Sequence, residues 1–353
     1  MSRFLAKKYS ALDAYVPGEQ PRDKKYVKLN TNEFPCPPAP DVIRAVNAEV
    51  VSDLRLYSDP TAKALKEVLA KYYGVGAENV FVSNGSDESL NFAFACFFED
   101  GVAFADLTYG FYSVFADLYG IDAKIIPLDK DFSILPEDYI ALDRGAVIAN
   151  PNAPTGKALP LSDIERIVAS NPDRVIVVDE AYVDFGGESA ISLTKKYDNL
   201  LVCMTYSKSR GMAGARLGFA IGNADLIADL ELMKYSTNPY NLDSLALRMG
   251  VAALTDDSKA YYEEKVGEVI KVREETAEKL RELGAEVLPS KANFLFVKLP
   301  GIAGGDAYAK LRERGILVRH FSKARISDYL RISIGTAEEM RLLVNAAADI
   351  IEV

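Results

Sequence analysis

The sequence predicts an α/β fold, a mostly parallel sheet flanked by helices and followed by a smaller α+β unit, on three observations. Strand-like and helix-like segments alternate from Val80 onward, the order that builds a parallel sheet through crossover connections. Two apolar runs, Val175 to Val178 and Leu200 to Met204, lack polar alternation, as strands covered on both faces require. After a long helical pattern over Lys259 to Leu283, short strands and helices follow in α+β order. At 353 residues the chain exceeds one ordinary core. The expected division is an arm over residues 1–40, a large unit over 41–245 and a small unit over 246–353.

Residues 1–40 are rich in Pro, Lys and Tyr and lack a helical period, so they are predicted to be extended and ordered by whatever they lie on. Within them Lys28-Leu29-Asn30-Thr31-Asn32-Glu33-Phe34-Pro35 sets polar amides beside a proline turn. A capped turn and a substrate-side role both account for it. Helices are expected over Asp41 to Asp53 and Thr61 to Tyr73, the second with Asp59 as cap and Gly74 just past its end. Strand Val80 to Ser83 then leads through Asn84-Gly85-Ser86-Asp87-Glu88 into Leu90 to Phe98, apolar enough for a buried helix. Free N–H groups at a helix start, the Ser86 hydroxyl and a glycine make an anion site, and a plain helix cap uses the same residues.

Strand Val102 to Ala105, a helix over Tyr109 to Tyr119, and strands Ala123 to Pro127 and Gly145 to Ala149 come next. Tyr109 suits stacking on a planar ring, or a core position at a helix start. Asn150-Pro151-Asn152-Ala153-Pro154-Thr155-Gly156 is a double turn at a strand end, expected to point side-chain amides into the crevice. Asp179 ends a buried strand within Arg174 to Tyr182, where a carboxylate is costly unless a cation pairs with it, either a protonated pyridine nitrogen or some other. Beyond strand Leu217 to Ile221 lie helices Ala224 to Tyr235, Leu242 to Leu254 and Lys259 to Leu283. Then come Glu286 to Leu288, Phe294 to Val297, a helix near Asp306 to Arg314, Ile316 to Arg319, Tyr329 to Ser333 and a last helix from Ala337. Arg319 and Arg331 stand in or at the ends of these short strands, where an arginine clamps a carboxylate or phosphate or simply carries surface charge. His320, the only histidine, lacks triad or metal partners and is read as structural.

A net charge of −10 argues against nucleic acid or an anionic membrane as partner, since neither is attracted to an acidic surface. The three cysteines are odd in number and without metal-ligand spacing, which suits reduced thiols. With no signal-peptide pattern and no apolar run long enough for a bilayer, the cytoplasm is the expected compartment.

The chemistry centres on Thr205-Tyr206-Ser207-Lys208-Ser209-Arg210-Gly211-Met212-Ala213-Gly214-Ala215-Arg216-Leu217-Gly218, which follows a buried strand. Ligands of open α/β sheets collect just there. A lysine in a partly dry pocket favours its free amine, which forms a Schiff base with an aldehyde. Thr205 and Ser207 offer hydroxyls, Arg216 a bidentate guanidinium, and Gly211, Gly214 and Gly218 a backbone that can come close to a phosphate. By itself a Ser-Lys dipeptide is also common in a solvated surface loop.

Taken in order, Lys28 to Glu33, Gly85-Ser86-Asp87-Glu88, Thr108-Tyr109-Gly110, Asn150 to Gly156, Asp179-Glu180-Ala181-Tyr182, Ser207-Lys208 with Gly214 and Arg216, and Leu330-Arg331-Ile332 resemble the pyridoxal-phosphate enzymes of the aspartate aminotransferase fold. Within them they resemble the histidinol-phosphate aminotransferases. The resemblance covers nearly the whole chain. It implies the type I fold of pyridoxal-phosphate transferases, three layers around a mostly parallel sheet, and pyridoxal 5′-phosphate as cofactor.

By the same resemblance Lys208 carries the cofactor as an imine and later acts as the base at Cα, Asp179 keeps the pyridine nitrogen protonated, Tyr182 bonds the phenolic oxygen and Tyr109 stacks on the ring. Gly85, Ser86, Asp87, Thr205, Ser207 and Arg216 match the phosphate cup, and Tyr57 matches a residue lent by a neighbouring subunit, implying a homodimer with shared sites. Arg331 would receive the glutamate carboxylate and, with Arg319, Tyr15 and Asn32, the acidic end of the other substrate. The implied reaction exchanges an amino group between L-histidinol phosphate and 2-oxoglutarate, forming imidazole acetol phosphate and L-glutamate in histidine biosynthesis, with ping-pong kinetics. An aromatic amino-acid aminotransferase, a threonine-phosphate decarboxylase and, of another class, a non-catalytic phosphate- or nucleotide-binding protein remain open. One departure stands out: where much of the family has an asparagine before Pro-Thr-Gly to bond the phenolic oxygen, this chain has Ala153. Either a small shift of the turn lets the adjacent Asn152 substitute, or Tyr182 holds that oxygen alone.

Overall fold

The computed structural model describes residues 3–10 and 12–351. In chain order, β1 (Val27–Lys28) precedes helices α1 (Pro40–Arg44), α2 (Ala48–Ser52) and α3 (Lys63–Tyr73). Then come β2 (Val80–Asn84), α4 (Ser86–Phe97), β3 (Val102–Ala105), α5 (Phe111–Tyr119), β4 (Ala123–Ile126), β5 (Gly145–Ala149), α6 (Leu161–Ser170), β6 (Ile176–Asp179), β7 (Leu200–Thr205) and β8 (Leu217–Gly222). Helices α7 (Ala224–Thr237), α8 (Ser244–Ala252) and α9 (Asp256–Glu282) lead to β9 (Glu286–Val287), β10 (Phe294–Lys298), α10 (Gly304–Glu313), β11 (Ile316–Leu317), β12 (Arg319–His320), β13 (Tyr329–Ser333) and α11 (Ala337–Ile351).

The first sheet has seven strands in the order β2-β8-β7-β6-β5-β3-β4. β8 runs antiparallel to β2 and β7, and the other pairs are parallel. Its central strands are apolar up to the residues that end β6 and β7, Asp179 and Thr205, because each face meets a helical layer. Ile176, Val178, Leu200 and Val202 enter one core with residues of α3, α6 and α8, while Val177, Leu201 and Cys203 enter another with α4, α5 and α7. This gives the three layers. Register sets Ala149 beside Asp179, Asp179 beside Cys203 and Thr205 beside Gly218, so β5, β6 and β7 end along one edge. α4 begins at that edge, straight after β2.

The second sheet, β12-β13-β10-β9, is antiparallel, and its core draws on α9, α10 and α11. The arm is ordered by lying against this unit. β1 pairs with β11, Arg319 donates to the carbonyls of Val16 and Pro17, and Arg312 pairs with Glu19 at 3.1 Å.

Four expectations need correction. The helix expected over Asp41 to Asp53 is two short helices, because Asn47 turns extended and caps the second through Val50 N. Asp59 does accept from Lys63 N, and α3 starts at Lys63 rather than Thr61. Ile316 to Arg319 is not one strand: its two ends pair in different sheets, β11 with the arm and β12 with β13. α6, whose Ile164, Ile167 and Val168 fill the core, is an addition to the elements expected from the sequence.

Candidate active site

The shared edge of β5, β6 and β7 opens into a cavity of about 250 Å³ lined by Ser86, Asp87, Tyr109, Asp179, Tyr182, Thr205, Ser207, Lys208 and Arg216. Lys208 stands just beyond β7. Its Nζ donates to Thr31 O at 3.4 Å and lies 5.5 Å from the centre of the Tyr182 ring. On one side the start of α4 presents first-turn amides that no preceding turn can satisfy. Gly85 there has φ +74, and a Cβ on it would stand 2.6 Å from Arg216 Nη2. A Cβ on Gly218 would stand 2.4 Å from Ser86 N, so both glycines are needed for this close approach. Gly214 has no such neighbour within 4 Å.

Arg216 reaches the cup from a left-handed backbone, φ +52, a cost that non-glycine residues bear mostly at functional sites. Its Nη2 donates to Asp87 Oδ2 at 3.3 Å, and Tyr109 OH donates to Asp87 Oδ1 at 2.9 Å. Thr205 and Ser207 close the cup with their hydroxyls 2.9 Å apart.

Opposite the cup, Asp179 is buried. Tyr112 OH donates to its Oδ2 at 2.7 Å and Ala181 N to its Oδ1 at 3.1 Å. Burial pushes its carboxyl up to about 6 against these donors, with Asp87 adding to the rise. The neighbouring Glu180, also buried, is pushed up to about 8 and accepts from Ser189 Oγ and Ala190 N.

Lys208 and Tyr182 also face a second crevice of about 520 Å³, which gathers Tyr15, Asn32, Arg319 and Arg331. Tyr15 stacks on Phe111 at 4.5 Å. Asn32, at φ +55, donates from Nδ2 to Tyr182 OH at 2.9 Å. Arg331 Nη2 donates to Asn30 O at 3.0 Å, while its buried Nε has no acceptor among the described residues. Burial holds this guanidinium below its ordinary value. An acidic ligand would complete it.

Asn152 is engaged within its own turn rather than turned to the cavity. Its Nδ2 donates to Leu107 O at 2.9 Å and Thr155 Oγ1 at 3.2 Å, and its Oδ1 accepts from Thr108 at 2.8 Å. The amide is spent on the turn, and Ala153 rather than Asn152 lines the cavity. Tyr57 lies outside its own chain's cavity, 82% exposed and stacked on Tyr240 at 4.4 Å. Sequence reasoning missed Tyr112, and named Thr31 and Glu33 only as members of the Lys28 to Glu33 motif. Tyr112 lies three residues after Tyr109 near the start of α5, a spacing that signals a shared helix face.

The profile of the "Aminotransferase class I and II" family matches residues 24–346. A histidinol-phosphate aminotransferase of Marinomonas sp. is 54% identical, covering 98% of this chain and 99% of that one. One of Brachyspira hyodysenteriae is 48% identical over the full length of both. The chain belongs to the histidinol-phosphate aminotransferase family. Among solved structures, the histidinol-phosphate aminotransferase of Clostridium acetobutylicum has a TM-score of 0.85 at 22% identity, covering 92% of this chain and 99% of that one. That of Sinorhizobium meliloti, in complex with pyridoxal-5′-phosphate, has a TM-score of 0.84 at 24% identity over 93% and 92%. At such identities the likeness concerns the fold. The cofactor of this aminotransferase is pyridoxal 5′-phosphate, and the cavity suits it. It offers a lysine for the aldehyde, a cup of amides, hydroxyls and guanidinium for the phosphate, and a buried carboxyl for the ring nitrogen.

Proposed function

We propose that this aminotransferase moves the amino group of L-histidinol phosphate to 2-oxoglutarate, giving imidazole acetol phosphate and L-glutamate, as the names of its relatives suggest. The observation that carries the reading is that Lys208 opens onto both the phosphate-cupped cavity and the arginine-lined crevice. When bound, pyridoxal phosphate supplies an electron sink for the bond broken at the substrate's Cα. Lys208 would hold the cofactor's aldehyde carbon and, once displaced, take the proton from Cα through Nζ. Asp179 would keep the ring nitrogen protonated, and Tyr182 would donate to the phenolic oxygen. Tyr109 would cover one ring face, with Asp87 holding its hydroxyl. Ser86, Asp87, Thr205, Ser207 and Arg216 would hold the phosphate, with Gly85 keeping the approach open. Arg331 and Arg319, with Tyr15 and Asn32, would take the phosphate of one substrate and the carboxylate of the other in turn, so the kinetics are ping-pong.

The working form is a homodimer in this reading. Val51, Leu54, Leu56, Tyr57 and Tyr240 are exposed apolar side chains, Tyr57 stacked on Tyr240, and a second copy would cover them while Tyr57 completes the partner's phosphate cup. Free Cys36, Cys96 and Cys203 suit the cytoplasm, and no helix among the described residues is long and apolar enough to cross a membrane.

The test is a half-reaction. Holoenzyme is mixed separately with histidinol phosphate, phenylalanine and threonine phosphate while the bound cofactor's visible band is followed. Loss of the band with histidinol phosphate at low concentration, restored by 2-oxoglutarate, is expected. Much more efficient conversion by phenylalanine, or carbon dioxide released from threonine phosphate, would overturn the substrate assignment.

A further inference from the structure

Three side chains, Ser333, Asn32 and Tyr182, form a hydrogen-bond chain. Ser333, in β13 of the antiparallel sheet, accepts from Asn32 N at 2.8 Å through its Oγ. Its own hydroxyl hydrogen goes to Asn32 Oδ1 at 2.9 Å. That hydrogen is buried and has no other acceptor among the described residues, so the Asn32 oxygen belongs on the Ser333 side and Nδ2 faces Tyr182 OH at 2.9 Å. Tyr182 therefore accepts from Asn32, and its own hydrogen must point elsewhere. Among the described residues it meets no acceptor, and the ring lines the cavity beside Lys208.

The chain is held rigidly. Asn32 and Ser333 are both buried, Asn293 Nδ2 donates to Asn32 O at 3.0 Å, and Ser333 N donates to Leu29 O at 2.9 Å. Phe294 meets the Tyr182 ring edge-on at 5.1 Å. Asn32 and Ser333 are shielded from solvent, and in such a setting each bond polarises the next. Ala153, at the same cavity, has no polar side chain to share the work.

We propose that Ser333 is a positioning residue: by orienting the Asn32 amide it aims the Tyr182 hydroxyl hydrogen into the cofactor cavity. This rests on the reading that Tyr182 donates to the cofactor's phenolic oxygen. Without the Ser333 hydroxyl the Asn32 amide is free to turn over and present its oxygen to Tyr182. Tyr182 then donates to Asn32, and the cavity loses its donor. A donor at the phenolic oxygen stabilises negative charge there and lowers the proton affinity of the nitrogen conjugated with it. Losing the donor raises that affinity.

The experiment is a pH titration of the visible band of substrate-free holoenzyme for the wild type, Ser333→Ala, Ser333→Thr and Tyr182→Phe, with cofactor affinity measured alongside. The spectral midpoint of Ser333→Ala is expected to rise by roughly one pH unit, the scale of one hydrogen bond to a charged oxygen. Tyr182→Phe should rise at least as much, and Ser333→Thr, which keeps the hydroxyl, should stay near the wild type. An unmoved midpoint in Ser333→Ala beside a raised one in Tyr182→Phe overturns the proposal and leaves the reading of Tyr182 standing. Equal rises in the Ala and Thr variants overturn it in favour of packing. No rise in Tyr182→Phe removes the reading of Tyr182 and the proposal with it.

Discussion

Replacing Asp179 by asparagine separates the cost of this carboxylate to the empty protein from its benefit to the loaded one. Its carboxyl is raised from an ordinary 3.8 to about 6, chiefly by burial, so the folded chain holds the proton more tightly than the unfolded chain. The stability it contributes is complete below its ordinary value and is lost as the pH rises through about 6. Above that, the ionised group costs the apoenzyme about 3 kcal/mol, at about 1.4 kcal/mol per pH unit. An asparagine does not titrate; its oxygen can accept from Ala181 N and its amide donate to Tyr112 OH, with weaker neutral bonds forfeiting about 1 kcal/mol. Asp179→Asn apoenzyme should therefore be about 2 kcal/mol more stable than wild type at about pH 7, and no more stable at about pH 4. With pyridoxal phosphate the order should reverse, because ionised Asp179 gains a protonated ring nitrogen as partner and the amide gains none. Thermal unfolding across this pH range, with and without cofactor, reads both effects. If the two apoenzymes show parallel pH profiles, burial of an ionised Asp179 is not the source of strain in the empty site.

Two further substitutions test the cavity walls. Gly218→Ala should push the start of α4 away from β8, since the new Cβ meets Ser86 N at 2.4 Å. An overpacking cost of about 1–3 kcal/mol in unfolding free energy, and cofactor affinity roughly tenfold weaker by fluorescence titration, are expected. Asn152→Ala removes bonds to Leu107 O, Thr155 and Thr108 and should lower stability by about 1–3 kcal/mol while leaving cofactor affinity nearly unchanged. A large affinity loss at unchanged melting temperature would restore Asn152 to the cavity.

Much of the site was legible in residue order because its chemistry depends on local signals. An apolar run ending in Thr205 announces a buried strand, and residues just past the carboxyl end of a parallel strand face the ligand edge, so the position of Lys208 could be argued from spacing and its role from the other motifs in order. Asp179 was legible for the same reason, a carboxylate at the end of a strand that cannot be solvated. The turn at Asn152 was not. Its amide could satisfy either its own loop or the cavity, and three short bonds to residues 107, 108 and 155 decided for the loop. The division of Ile316 to Arg319 between two sheets likewise depended on where the arm came to lie.

By itself, then, the sequence determined the α/β class, most of the elements and the groups that need a partner, because backbone periodicity, caps and the cost of burying charge act over a few residues. Only the tertiary structure decided which partner each group received. Asn32 meets Tyr182 across 150 residues and Ser333 across 301, and no local rule links positions so far apart. Such pairings arise when sheet order and the packing of one unit on the other bring distant donors and acceptors together away from water, where each must find a bond or bear the cost of lacking one.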